Sequence, residues 1–156
     1  MTEKANTPVD ELNKILTNTL DYKSVLLELS KSLSNEATKN KLKEFAEIKE
    51  KESQNLMKLV KASGGRIETN ERMTDQESIY WVRRPLPQAK DMYAVLDKLI
   101  HAERNAIDDY KSLLTREELQ SGNRDVLQEH KQEAEANLDY FQGAKQALDK
   151  KNERNR

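Results

Sequence analysis

Cysteine is absent from this chain of 156 residues, which excludes a disulfide framework, thiolate zinc sites and thiol nucleophiles together. Proline (3), glycine (4) and aromatics (5%) are scarce as well. With high Lys, Glu, Leu and Ala content, that scarcity favours long helices over strands. Long apolar runs are missing: nothing approaches the ~20 residues needed to span a bilayer. The opening MTEKANTPVD has no apolar segment behind its charges, so a soluble, by default cytoplasmic protein without membrane association is expected. An excess of one charge is lacking too, since 27 Lys+Arg face 28 Asp+Glu for a net charge of -1. Without a large basic field to attract phosphates, a nucleic-acid partner is not expected. Neither a phosphate-binding glycine loop nor a nucleophile elbow occurs, and hydrolytic or nucleotide-dependent chemistry has no support.

Apolar residues at helical spacing dominate what remains. Thr7-Pro8 reads as an N-cap followed by proline in the first turn, and Asp10 and Glu11 suit the positive end of the helix dipole. From there Leu12, Ile15, Thr19, Tyr22, Leu26, Leu29 and Leu33 form one line, widened by Leu16, Leu20 and Leu27. Ser34-Asn35 supplies the next cap. A second line runs through Leu42, Phe45, Ile48, Glu52, Leu56, Leu59 and Ser63 until Gly64-Gly65 ends it. The segment 66–87 breaks the period and carries two of the prolines, so it reads as a long crossover with room for one short helical turn. A third line holds Met92, Leu96, Leu99, Glu103, Ala106, Tyr110 and Leu113. After QSGNRD, with Asn123 as the expected cap, a fourth holds Leu127, His130, Ala134, Asn137, Phe141, Ala144 and Leu148. The expected fold is therefore all-α: one domain over 1–156, with helices at about 8–32, 36–63, 88–114 and 124–149. Two short loops and one long crossover match the ferritin-like kind of four-helix bundle rather than a simple up-down-up-down bundle.

Polar residues on those lines are the anomalies, because a buried charge is costly unless it is paired or ligating. Glu52, Glu103, His130 and Asn137 each need a partner. Folding the helices back about their short loops puts Lys49 and Glu52 opposite Thr19 to Tyr22, and Glu103 level with Ala134 to Asn137. Lys49, Glu52, Glu103 and Asn137 are thus expected to form a core polar cluster near mid-bundle. Bundles of this kind build carboxylate-bridged metal sites at the same level. The competing reading recruits Glu52, Glu103 and His130, or His101, as ligands for zinc, iron or manganese. A third leaves Lys49 and Glu52 pointing outward, with Ile48 on the core line.

Family resemblance enters through short motifs. NLMKLVKASGGRI, from Asn55 to Ile67, resembles the end of the second helix of ferritins, and AERNA resembles the segment that carries their bridging glutamate, here Glu103. The resemblance implies Glu-x-x-His on helix two, but the aligned residues are Lys49-Glu50-Lys51-Glu52, with lysine for the bridging glutamate and glutamate for the histidine. EAEANLDYF, from Glu133, is similar to the helix-four motif of bacterioferritins but has Ala134 for its glutamate and Asn137 for its histidine. Asp21 is the best match for the first-helix glutamate. ELNKILTNTLDY and the helix-two ending also resemble a family of small, uncharacterised bacterial ferritin-like proteins.

A lysine where a bridging carboxylate belongs removes a ligand and repels an incoming cation, while it neutralises Glu103 or Glu52. The expected protein is therefore a non-enzymatic ferritin-like bundle with a degenerate diiron site and no cofactor. It would act as a structural or interaction module, as a homodimer or with a protein partner. The rival expectation is an iron-handling protein or oxidoreductase with a remodelled site holding iron or manganese. For Tyr22 and Tyr110, packing is expected ahead of a redox role. Arg83 and Arg84 with the aromatics of IYWVRRPLP read as a clamp on the bundle or an oligomer contact rather than a base-stacking surface.

Overall fold

The computed structural model describes residues 7–69, 81, 82, 84–88 and 90–154. Its described residues form four helices and no strand: α1 (Pro8–Ser32), α2 (Glu36–Ala62), α3 (Met92–Leu114) and α4 (Ser121–Arg154). Thr7 and Asp10 make a reciprocal capping box at α1, each side chain accepting the other's backbone N–H at 3.1 Å. Asn35 caps α2 by accepting from Thr38 N at 3.0 Å. At its far end Gly64 N–H donates to Lys61 O and Gly65 N–H to Val60 O, each at 3.0 Å, with Gly64 at φ +76. This is the Schellman closure, which needs a residue free to take positive φ. A Cβ on Gly65 would lie 2.5 Å from a Val9 methyl, so this glycine also lets α1 approach. Gly64→Ala is expected to lower stability by about 1 kcal/mol, measured by urea denaturation, because alanine strains at that φ.

Contacts at the helix ends define the topology. Asn13, near the start of α1, donates to Arg66 O and accepts from Glu68 N, both at 2.9 Å, so α2 ends where α1 begins. Arg116, just past α3, pairs with Glu11 at 2.8 Å, so α3 ends there as well. Helices α2 and α3 therefore run parallel, and the chain between them spans the length of the bundle. Its described part packs on the seam between α1 and α3. Trp81 and Val82 are buried, Asn105 donates to Trp81 O at 3.3 Å, and Arg84 reaches Asp21 at 3.4 Å and Glu28 at 3.5 Å. That places Arg84 as a clamp against α1, whereas Arg83 and residues 70–80, part of the 66–87 crossover expected to have room for one short helical turn, lie outside the described residues. Among the described residues no helix is long and apolar enough to cross a membrane.

The core follows the four apolar lines, with some corrections. Leu27 is 36% exposed and Leu20 only half-buried, so the stripe on α1 is narrower than its leucines suggest. Helix α3 starts at Met92 rather than 88, because Asp91 accepts from Ala94 N at 3.1 Å and caps better than a residue beside Pro87. Helix α4 starts at Ser121, ahead of Asn123: first-turn residues have no intrahelical N–H bond to lose, so Ser121-Gly122 is tolerated there. It runs on to Arg154 through good helix formers in solvent instead of stopping at 149. Arg124 then turns back to donate to Leu114 O at 2.6 Å and to Arg116 O, satisfying carbonyls at the end of α3.

Candidate functional site in the bundle core

Halfway along the bundle, all four helices place a polar side chain inside. Lys49 is 0% exposed, Glu52 1%, Glu103 0%, His130 1% and Asn137 5%, while Ile48 is only half-buried. The outward reading of Lys49 and Glu52 is thereby excluded. The two residues are three apart on α2 and share a face, and Lys49 Nζ lies 3.2 Å from Glu52 Oε1. From α3, Glu103 Oε2 approaches the same ammonium at 3.8 Å. Asn137 on α4 donates through Nδ2 to Glu103 Oε1 at 3.4 Å. Lysine, two glutamates and asparagine therefore form one continuous cluster.

Aromatic faces complete the enclosure of the ammonium. Lys49 Nζ stands 5.2 Å from the Tyr22 ring centroid and 5.9 Å from that of Trp81, within cation–π range. Trp81 is edge-on to Tyr22 at 6.4 Å and tilted against Tyr110 at 6.3 Å, and its Nε1–H donates to Asp109 at 2.5 Å. Tyr22 and Tyr110 are wholly buried. Burial pushes both phenols well above their ordinary value, helped by Glu103 at Tyr22 and by Glu52 at Tyr110, so both stay protonated.

The charge states follow from the geometry. Burial pulls the Lys49 ammonium down, but Glu103 and Glu52 outweigh it and the net direction is up, so Lys49 is a cation. Burial raises Glu52 and Glu103 more than Lys49 lowers them, and both move toward neutrality. One buried cation cannot balance two buried carboxylates. Glu52 Oε2 has no hydrogen-bond partner among the described residues, and the Tyr22 hydroxyl interacts with Glu103 without reaching regular hydrogen-bond geometry. A proton on one carboxyl would remove the surplus charge and supply a missing donor.

His130 adjoins this cluster without completing a ligand set. Asn55 Nδ2 lies 3.2 Å from its Nε2, and Tyr110 Oη lies 3.3 Å from its Nδ1. With Asn55 as donor, Nδ1–H faces Tyr110 and the ring is neutral. Burial, reinforced by Lys49, lowers its pKa from 6.5 to about 4. A folded pKa below the unfolded one contributes stability that is present above 6.5 and is lost as pH falls toward about 4. The His130 ring is expected to titrate near pH 4 by imidazole nitrogen NMR. Acidification across that window should remove about 3 kcal/mol through this group.

The donor set does not fit a metal ion. Among the described residues no group of three or more His, Cys, Asp or Glu side chains converges in a way that could hold one. Lys49 Nζ stands against Glu52 and Glu103 as a cation already in place, and both His130 nitrogens face other side chains. His101 is exposed on the outside of α3. Asp21 is likewise outside the cluster, paired with Arg84, and α1 supplies Tyr22 instead.

Sequence reasoning missed Asn55 and Asn18, and it read the aromatics of IYWVRRPLP as a clamp on the bundle without placing Trp81 beside Lys49. Asn18 is 2% exposed and neither of its side-chain polar atoms has a hydrogen-bond partner among the described residues, and its position beside Thr17 and Thr19 shows only that α1 is polar there. For Asn55 the signal was present: it follows Glu52 by one helical step and faces α4. Comparison of the chain with protein-family models finds no match, and no curated protein is significantly similar to it.

Proposed function

We infer that this chain is a ferritin-like bundle in which a tethered lysine ammonium stands where relatives of that fold hold metal, and that it serves as a non-enzymatic structural or protein-interaction module. One observation carries the reading: Lys49 Nζ, fully buried, lies between Glu52 at 3.2 Å and Glu103 at 3.8 Å. A side chain in that place fills the position a redox metal centre needs open and offsets part of the anionic charge that would hold the metal. The four-helix frame, the motif at Asn55–Ile67 and the crossover that spans the bundle support the family. A buried charge cluster linking α2, α3 and α4, with the Tyr22 ring of α1 against its ammonium, suits a scaffold, since buried polar networks favour one register over others.

The test is a change of ligands. Wild-type protein incubated with ferrous or manganous ion is expected to retain no stoichiometric metal after desalting. Lys49→Glu combined with Glu52→His, which restores the missing motif, is expected to bind metal at Glu103 and the two new ligands. Lys49→Gln controls for the loss of the cation alone. Stoichiometric metal on the wild type would overturn the reading, and a folded double variant without metal affinity would overturn the placement of the cluster.

A further inference from the structure

Helix α4, at 34 residues, outruns α1, α2 and α3 at 25, 27 and 23. Its apolar stripe continues past Phe141 to Ala144 and Leu148, at the end of the bundle where α1 stops and α2 begins. There α2 offers Leu42 with Thr38 and Lys41, too little aliphatic surface to close against α3 and α4. A cleft of about 290 Å³ results between the three helices. Buried Val95, Leu96, Leu99 and Phe141 line it, and Tyr140, 44% exposed, forms its lip. Trp81 and Arg84 of the crossover lie on a different seam, between α1 and α3.

The charged residues that line the cleft, among those described, have one sign. Among the described residues Lys41 and Lys151 are its only charged lining residues, and no described carboxylate lines it. The Lys41 ammonium is held 5.1 Å over Tyr140 and 5.5 Å over Phe45, at the lip. Its partner Glu44, at 3.3 Å, is 63% exposed, and such a surface pair is easily exchanged for another anion. The volume is at the lower end of ligand pockets, which start at roughly 300 Å³. It suits one flexible chain rather than a helix or a two-chain lipid.

We propose that this cleft binds a free single-chain anionic amphiphile, a medium-chain fatty acid, with its chain against Leu96, Leu99 and Phe141 and its carboxylate at Lys41 and Lys151. The site is separate from the polar core and does not depend on how that core is read. Apolar walls supply affinity through buried chain area, and the lysines fix which end stays at the lip.

The full chain titrated with dodecanoate below its micelle concentration, followed by displacement of a fluorescent fatty acid, tests this. Saturable stoichiometric binding is expected, with dodecyltrimethylammonium failing to compete. Ala144→Trp, which fills the cleft, should abolish binding. Lys41→Gln with Lys151→Gln should weaken it about tenfold or more while the helical signal and melting temperature hold. The lysine pair serves as the deciding variant where Ala144→Trp is misfolded. No saturable binding, equal competition by the cationic amphiphile, or unchanged affinity in the lysine variant would overturn the proposal. So would binding only to vesicles of anionic phospholipid, or burial of Tyr140 in a dimer of this chain that dodecanoate does not dissociate.

Discussion

Lys49→Met should lower the unfolding free energy by about 3–5 kcal/mol at neutral pH, the range for removing one partner of a buried ion pair. Methionine matches the lysine stem in length, so little packing is lost and the effect isolates the charge. What remains is two buried carboxylates facing Tyr22, Tyr110 and a neutral His130, without a cation among them. The penalty has a pH signature. Burial raises the folded pKa of Glu52 and of Glu103 above the ordinary 4.5. A carboxyl shifted that way contributes most below its unfolded pKa and loses that contribution as pH rises to the folded value. Without Lys49 the folded values climb further, so the difference between variant and wild type should be largest at neutral pH. It should shrink toward the ordinary carboxylate range, where both carboxyls are protonated. Urea denaturation of both proteins at several pH values reads this directly, and the His130 contribution largely cancels because both proteins share it. Replacing the whole set, Lys49→Met with Glu52→Gln and Glu103→Gln, should recover most of the loss, because no unpaired charge is then left inside.

Trp81→Ala should be nearly as damaging, at about 3–5 kcal/mol, the range for truncating a large buried aromatic. Trp81 is 2% exposed and, with Val82, carries the described crossover into the core. Its loss would open a cavity beside Tyr22 and Tyr110, remove one aromatic face from the Lys49 ammonium, and leave Asp109 without its indole donor. Trp81→Phe separates these effects. It keeps much of the packing but leaves Asp109, whose carboxyl burial already raises against Trp81 and Lys14, short of a hydrogen bond, so a loss of about 1–3 kcal/mol is expected. Thermal or urea unfolding followed by circular dichroism is the suitable measurement, since Trp81 is the only tryptophan and its fluorescence disappears with it.

Residues that act locally were the most legible. Thr7-Pro8-x-Asp10 announces a capped helix, and Gly64-Gly65 announces its neighbour's end, because each works through hydrogen bonds within one turn. The core lines were readable for the same reason, since an apolar stripe at helical period has one sensible face. Lys49 was harder. Ile48 and Lys49 are successive residues pointing about 100° apart, and hydrophobicity alone favours turning Ile48 inward. The structure turns Lys49 inward because Glu52, Leu56 and Leu42 share its face and because Glu103 and two aromatic rings wait on other helices. Only by folding the helices onto one another does that choice become visible.

Residues that depend on distant partners were not legible. The aromatics of IYWVRRPLP suggested a clamp on the bundle, but the partners of Trp81, α3 residues 24 and 28 positions further along, are encoded by no local pattern. Arg124 looks like an ordinary charge at the start of α4, yet it satisfies carbonyls at the end of α3. The starts of α3 and α4 shifted because several residues near each could cap, and the choice rests on which one the loop presents. Leu27 is exposed although its leucine neighbours are buried, because the phase of α1 is set by Tyr22 and Leu26 at 0% exposure.

The central claim is that the Lys49 ammonium is the cation of this core. Nitrogen-15 lysine NMR across an alkaline titration tests it most directly, with Lys49→Met used to assign the signal. The prediction is a slowly exchanging ammonium on Lys49 that stays protonated beyond the ordinary lysine value of 10.5, with protein stability lost as it finally titrates. A Lys49 amine that is neutral near physiological pH, or that titrates like a solvent-exposed lysine, would contradict the account.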